Sequence, residues 1–141
     1  MTGVLTDVPK LAGILCDAGW YCFLDYAGAG PYVPINMHGP GYDVHAVFLS
    51  VHKFIGGPAA SGVLIAHKCL FRTDIPHYPG GGTIAIVAPG TVEDNPELRG
   101  RSKVLYNEDL QVREEGGTPA IMNDIRAGVA FTVKVCVSIT Y

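Results

Sequence analysis

Lys53 is the residue from which a chemistry can first be read. It stands in Ser50-Val51-His52-Lys53, after the apolar run 46–49 and just before Gly56-Gly57-Pro58. The run has the length of a short buried strand, and the two glycines and proline fit a tight turn. A lysine at the end of a buried strand, beside a histidine, is expected to be poorly solvated. Burial lowers a lysine's pKa and frees its amine as a nucleophile. Such an amine suits Schiff-base chemistry with a carbonyl compound. The plainer role is a lysine whose stem lies on apolar surface while its ammonium reaches water. Asp25 is the second candidate. It ends the apolar stretch 20–24, and ligands of open α/β sheets bind beyond the carboxyl ends of strands. Its plainer role is to cap the loop that follows. The third candidate is Gly117-Thr118-Pro119. Thr118 fits a helix N-cap and Pro119 a first helical residue, and such an N-terminus can hold an anion or serve simply as a cap.

These residues need elements to position them. Residues 7–18 read as a helix, with Pro9 in the first turn and Leu11, Ile14, Leu15 and Ala18 on one apolar face. Gly19 fits its C-terminal stop. The stretch 20–24 is nearly apolar throughout, as expected of a parallel strand covered on both faces. Strands are expected again at 46–49, 62–66 and 83–87, and a short turn or helix at 67–71. The triple glycine at 80–82 invites a phosphate-loop reading, but no Gly-Lys-Ser/Thr follows it, and a flexible connection is the better expectation. Residues 89–112 read as a long, irregular, polar surface loop. A last helix runs from 119 to about 135, with Ile121, Ile125, Val129 and Val133 along one face. Helix alternating with strand predicts an α/β layered fold.

The chain has 141 residues, enough for one domain core, and 48% hydrophobic against 16% charged residues is a sheet-rich, buried composition. A formal net charge of -3 without a basic run argues against a nucleic-acid surface. No apolar run reaches the length of a membrane span, and the N-terminus lacks the pattern of a signal peptide. Cys16, Cys22, Cys69 and Cys136 show no metal-ligand spacing, so free and mostly buried thiols in a reducing, cytoplasmic setting are expected. His38, His45, His67 and His77 read as scattered surface or loop residues rather than a ligand set.

Ser50-Val51-His52-Lys53, with Gly56-Gly57-Pro58 and Ser61-Gly62-Val63-Leu64-Ile65 behind it, resembles the pyridoxal-phosphate lysine motif of the class V aminotransferase family. That family includes cysteine desulfurases and selenocysteine lyases. Phe23-Leu24-Asp25-Tyr26-Ala27 with Val33-Pro34-Ile35, and Arg113-Glu114-Glu115-Gly116-Gly117-Thr118-Pro119, fall in the family's order. The resemblance takes in nearly the whole chain but only the middle of the family. It implies an α/β fold: the three-layer, mostly parallel sheet of a fold-type I transferase large domain, incomplete here. Residues 1–141 would be its central part, with the N-terminal segment and the C-terminal small domain absent.

The resemblance also implies roles. Lys53 would carry pyridoxal 5'-phosphate as a Schiff base and then act as base and acid at a substrate α-carbon. Asp25 would pair with the pyridine nitrogen. Ser50 and His52 would lie at the cofactor phosphate. Gly117 and Thr118 would reach the phosphate of a neighbouring subunit, implying a homodimer with shared sites. The expected substrate is a small molecule, an amino acid, with no nucleic-acid or membrane partner. Desulfurase-like members carry a glutamine three residues after the aspartate, where this chain has Gly28. Tyr26 or Tyr32 could replace it at the cofactor hydroxyl, or pack beneath the loop. None of the four cysteines matches the motif of the desulfurase nucleophile. A rival expectation is a truncated, inactive remnant or interaction module with the same fold pattern. The apolar ending, 136–141, fits a truncation.

Overall fold

A computed structural model of the chain describes residues 3–87 and 104–138. The chain forms two compact units, one of Met1–Leu70 with Ala120–Tyr141, the other of Phe71–Pro119.

Helix α1 spans Val8–Asp17, with Asp7 as N-cap accepting the Lys10 N–H at 3.2 Å. Gly19, at φ 73°, turns the chain out of the helix, and Gly19 and Trp20 donate to the Cys16 and Leu15 carbonyls. The expected span therefore holds to within a residue, but the expected face does not. Ala12 is fully buried and Val8 and Leu15 pack on the core, while Leu11 and Ile14 are exposed. The small residues explain this. A Cβ on Gly13 would lie 3.5 Å from the Gly41 carbonyl, so α1 meets its neighbour along Ala12 and Gly13. Larger neighbours are turned outward.

Strand β1 is Phe23–Asp25; β2 (His38–Gly39) and β3 (Tyr42–Asp43) form an antiparallel pair; β4 is Ala46–Leu49 and β5 is Val63–Ala66. β1 runs parallel to β4, with Asp25 opposite Phe48, and β5 runs antiparallel to β4, with Leu64 opposite Phe48. The strands at 46–49 and 62–66 are thus as expected. β1 is shorter than 20–24, with Trp20 outside it. One sheet face joins the core: Val47 and Leu49 are buried in a cluster with Ala12, Ala127 and Ala130. On the other face Phe23, Phe48 and Leu64 are about half exposed. The expectation of cover on both faces fails there; the described three-stranded sheet is mixed, with one parallel and one antiparallel pair, and fits an α/β fold.

The β2–β3 pair carries an ion pair, His38 Nδ1 to Asp43 Oδ1 at 2.7 Å. This hydrogen bond holds the Asp43 carboxyl below its ordinary range, against a smaller opposing effect of burial and with help from the positive charge of His38, His45 and His67. A carboxyl whose pKa is lower folded than unfolded adds stability above its unfolded pKa and loses it as pH falls through the folded one. Asp43→Asn should therefore lower the thermal midpoint near neutrality and flatten its fall between about pH 5 and pH 2. Thermal melts across that range check this; parallel curves for the two proteins would count against it.

After β4 the chain enters a short 3-10 helix, Val51–Lys53. Consecutive tight turns follow: Lys53 donates to the Ser50 carbonyl at 3.0 Å, Phe54 to Val51 at 2.9 Å, Gly57 to Phe54 at 2.9 Å and Ala60 to Gly57 at 2.8 Å. A later helix, α3, spans Ile121–Ser138 (α2, Leu110–Glu114, lies in the second unit). The Ala120 carbonyl accepts its first N–H groups, from Asn123 and Asp124. Thr118 and Pro119 therefore precede the helix instead of capping and opening it. The stripe of Ile121, Ile125 and Val129 is exposed, and Ala127 and Ala130 are buried instead. Phe131 of this helix also packs on the core and meets the Phe54 ring edge-on, centroids 5.4 Å apart.

The second unit pairs β6 (Ile84–Val87) with β7 (Val104–Tyr106) in antiparallel fashion and adds α2 (Leu110–Glu114), capped by Asp109. The expected loop 89–112 thus contains a strand and the start of a helix; its residues 89–103 lie outside the described residues, as do 139–141 of the apolar ending. The triple glycine packs backbone on backbone. Gly117 donates to the Gly81 carbonyl at 2.9 Å, and a Cβ on Gly80 would be 3.4 Å from Gly116 Cα. Thr83, fully buried, accepts from the Gly80 N–H and donates to its carbonyl. Among the described residues no helix is long and apolar enough to cross a membrane.

Candidate functional site

The carboxyl ends of the parallel pair β1 and β4 open onto a cleft of about 530 Å³. Asp25 and Ser50 line it, with Phe48, Gly62 and Leu64 as walls. The register brings this about: Asp25 lies opposite Phe48, and the Tyr26 N–H extends the pairing by donating to the Phe48 carbonyl at 2.9 Å. Ser50 is two residues further on. Asp25 Oδ1 accepts the Ala27 N–H at 2.7 Å, the loop-capping role considered from the sequence. A carboxylate has room for several donors, so this bond leaves acceptor capacity toward the cleft. Capping and ligand binding are compatible here.

Lys53 and His52 are both exposed. The expectation of a buried lysine at a strand end is corrected by the local geometry. Three residues per turn place Val51 and Phe54 on one side, and both are buried, so the two residues between them face outward. The turn is anchored while its lysine is presented. Ser50 is half-buried at the N-cap position of the turn. Tyr26 is buried and its phenol is pushed up, first by burial and then by Tyr42 and Cys22, whereas Tyr32 is exposed. Gly117, at φ 99°, and the exposed Thr118 belong to the second unit.

The histidines are less scattered than their spacing suggests. His38 and His67 have ring centroids 5.9 Å apart, and His45 and His67 6.3 Å. His45 precedes β4, His67 follows β5, and Ala46 pairs with Ala66, so strand register gathers them at the end of the sheet away from Asp25. That register was the available signal. Among the described residues no group of three or more His, Cys, Asp or Glu side chains could hold a metal ion. Of the four cysteines Cys22 alone is buried, and that burial pushes its thiol up, with a lesser contribution from Cys16.

The residues that fit a cofactor here are a carboxylate and a hydroxyl in one open cleft, with an imidazole and a primary amine on the turn leaving it. This donor set suits a heteroaromatic aldehyde bearing an anionic group. Comparison with known proteins shows the family. Residues 1–133 match the family model described as aminotransferase class-V. A probable cysteine desulfurase of Aeropyrum pernix is 30% identical over 125 residues, 89% of this chain and 28% of that protein. The probable cysteine desulfurase 2 of Mycobacterium leprae is 33% identical over 87 residues, 62% of this chain and 20% of that protein. A histidine decarboxylase of Mesorhizobium japonicum is 36% identical over 69 residues, 44% of this chain and 19% of that protein. The crystal structure of the Escherichia coli cysteine desulfurase CsdA (S-sulfonic acid) superposes with a TM-score of 0.71 at 20% identity, over 94% of this chain and 29% of that one, and so speaks for the fold. The chain spans less than a third of the length of each of these proteins.

Proposed function

Because the chain belongs to the class V aminotransferase family, we propose that it carries the lysine-bearing part of a pyridoxal-phosphate-dependent, aminotransferase- or desulfurase-like enzyme acting on an amino acid. The observation behind this reading is the convergence of Asp25 and Ser50 on one cleft, with His52 and Lys53 on the anchored turn that leaves it. Lys53 Nζ would hold the cofactor and then take and return a proton at the substrate α-carbon. Asp25 would keep a proton on the ring nitrogen through its opposite charge. Ser50 Oγ and His52 would bind the phosphate, and Gly117 and Thr118 would do so for a neighbouring subunit in a homodimer. The cofactor, when bound, supplies the electron sink that stabilises a carbanion. A cytoplasmic setting belongs to the same reading.

A second reading, a non-catalytic module, is favoured by the open apolar face of Phe23, Phe48 and Leu64. One experiment separates the two. Incubation with pyridoxal phosphate, borohydride reduction and peptide mass mapping should place the adduct on Lys53, and Lys53→Ala should remove it. Labelling chiefly on Lys10, Lys68, Lys103 or Lys134 would sink the enzymatic reading.

A further inference from the structure

Lys134 of α3 takes no part in the site described above, yet it grips the loop that leaves Asp25. It is half-buried. Its Nζ donates to the carbonyls of Gly30 and, at 3.1 Å, of Val33, and stands 5.3 Å from the centre of the Phe54 ring. Burial lowers the pKa of this amine. An ammonium placed there for solvation alone would not accept that penalty.

The loop it holds begins at the site. Tyr26 pairs with Phe48, the Gly30 N–H returns to the Tyr26 carbonyl at 2.7 Å, and the Val33 N–H to Ala29 at 3.1 Å. Gly30 is wedged between the two arms that carry Ser50 and Lys53. A Cβ on it would meet the Tyr26 carbonyl oxygen at 2.7 Å, Leu49 Cδ2 at 3.0 Å and the Phe54 ring at 3.4 Å. Leu49 immediately precedes Ser50, and Phe54 immediately follows Lys53. Three pieces therefore meet at Lys134: the loop after Asp25, the ring after Lys53, and α3. The first turn of α3 is itself tied to the far side of the lysine turn, through Ser61 Oγ to Asp124 Oδ1 at 2.5 Å.

We propose that Lys134 is a positioning residue that sets the Asp25 carboxylate against the Lys53 turn by clamping the Gly30 and Val33 carbonyls over Phe54. The inference deepens the reading given under Proposed function and rests on it. The stem of the lysine covers apolar surface, and its two hydrogen bonds add to the backbone turns and the Asp25–Ala27 bond that the loop already has.

The decisive comparison is Lys134→Met, which keeps the stem and loses both donors, beside Lys134→Arg, which keeps charge and donors. In the cofactor-free chain, amide exchange at Gly30 and Val33 should quicken by about tenfold or more in the methionine variant. The Ala27 amide, bonded to Asp25 Oδ1, should shift in the NMR spectrum. With pyridoxal phosphate, borohydride-fixed labelling of Lys53 should slow by about tenfold, because the clamp sits on the Phe54 ring and its loss loosens the turn that presents Lys53. Lys134→Arg should restore all three. Faster exchange with an unmoved Ala27 signal and unchanged labelling would reduce Lys134 to a loop tether and overturn the proposal. If circular dichroism shows Lys134→Met unfolded, Lys134→Gln is judged by the same criteria. A label on another lysine in the unaltered chain would overturn the reading of the site, while the Ala27 signal still decides whether Lys134 orients Asp25.

Discussion

Gly57→Ala should cost the chain roughly 3 kcal/mol or more and take the Lys53 turn with it. A Cβ at this position would lie 2.0 Å from the Val51 carbonyl oxygen and 3.0 Å from that of Phe54. Both are backbone atoms, and both are engaged: the Val51 carbonyl accepts from Phe54, and the Phe54 carbonyl accepts from Gly57 itself. Relief therefore requires opening the turns that present Lys53. Gly56 supplies the control. Its φ is 79° but nothing lies within 4 Å of a Cβ there, so Gly56→Ala meets only the left-handed backbone penalty, about 1–2 kcal/mol. Thermal denaturation of both variants checks the ranking. Gly57→Ala should fall further than Gly56→Ala by several degrees, and its Lys53 should lose selective labelling by pyridoxal phosphate. Equal midpoints would mean that the turn is not closed as described.

The strands and the site were legible in the sequence where local pattern and long-range packing agree. In the run 46–49, Ala46, Val47 and Leu49 are buried because β4 is the central strand, with a neighbour on each side and the core beneath Val47 and Leu49. Asp25 was legible as a charge interrupting such a pattern at a strand end. The helices were legible in extent and illegible in facing. Four-residue periodicity in 121–133 selects a stripe of large aliphatics, yet Ala127 and Ala130 are the buried residues. Periodicity records which residues share a face, and the distance to the neighbour decides which face can be used. Here α3 must come close enough for Lys134 to reach two backbone carbonyls. Lys53 shows the converse limit. Its motif singled the residue out, but a strand end suggested burial, and the 3-10 turn that reverses its facing carries no strong sequence mark. Register explains two of the histidines: His45 and His67 meet because β4 and β5 are antiparallel neighbours.

Asp25→Asn should separate holding the cofactor from using it. The asparagine keeps an acceptor for the Ala27 N–H, now bonded to Asp25 Oδ1 at 2.7 Å, so the loop should keep its course. What it loses is the negative charge in the cleft. In the proposed site Ser50 and His52 take the phosphate and Lys53 takes the aldehyde, and none of these contacts needs that charge. Labelling of Lys53 should therefore stay within a few-fold of the parent. Exchange of an amino acid's α-proton depends on a protonated ring nitrogen, and removing a charge aimed at that atom should slow it by about 10²–10³-fold. Asp25→Ala should do more damage, since it also strips the Ala27 N–H of its acceptor, at about 1 kcal/mol. The measurements are cofactor content by absorption after gel filtration, and α-proton exchange in deuterated water by NMR. They should be made on whichever length of polypeptide retains the cofactor. Parental exchange in Asp25→Asn would remove Asp25 from the ring nitrogen and leave it a cap on the loop, and with it would go the alignment of Phe23-Leu24-Asp25 to the family's site.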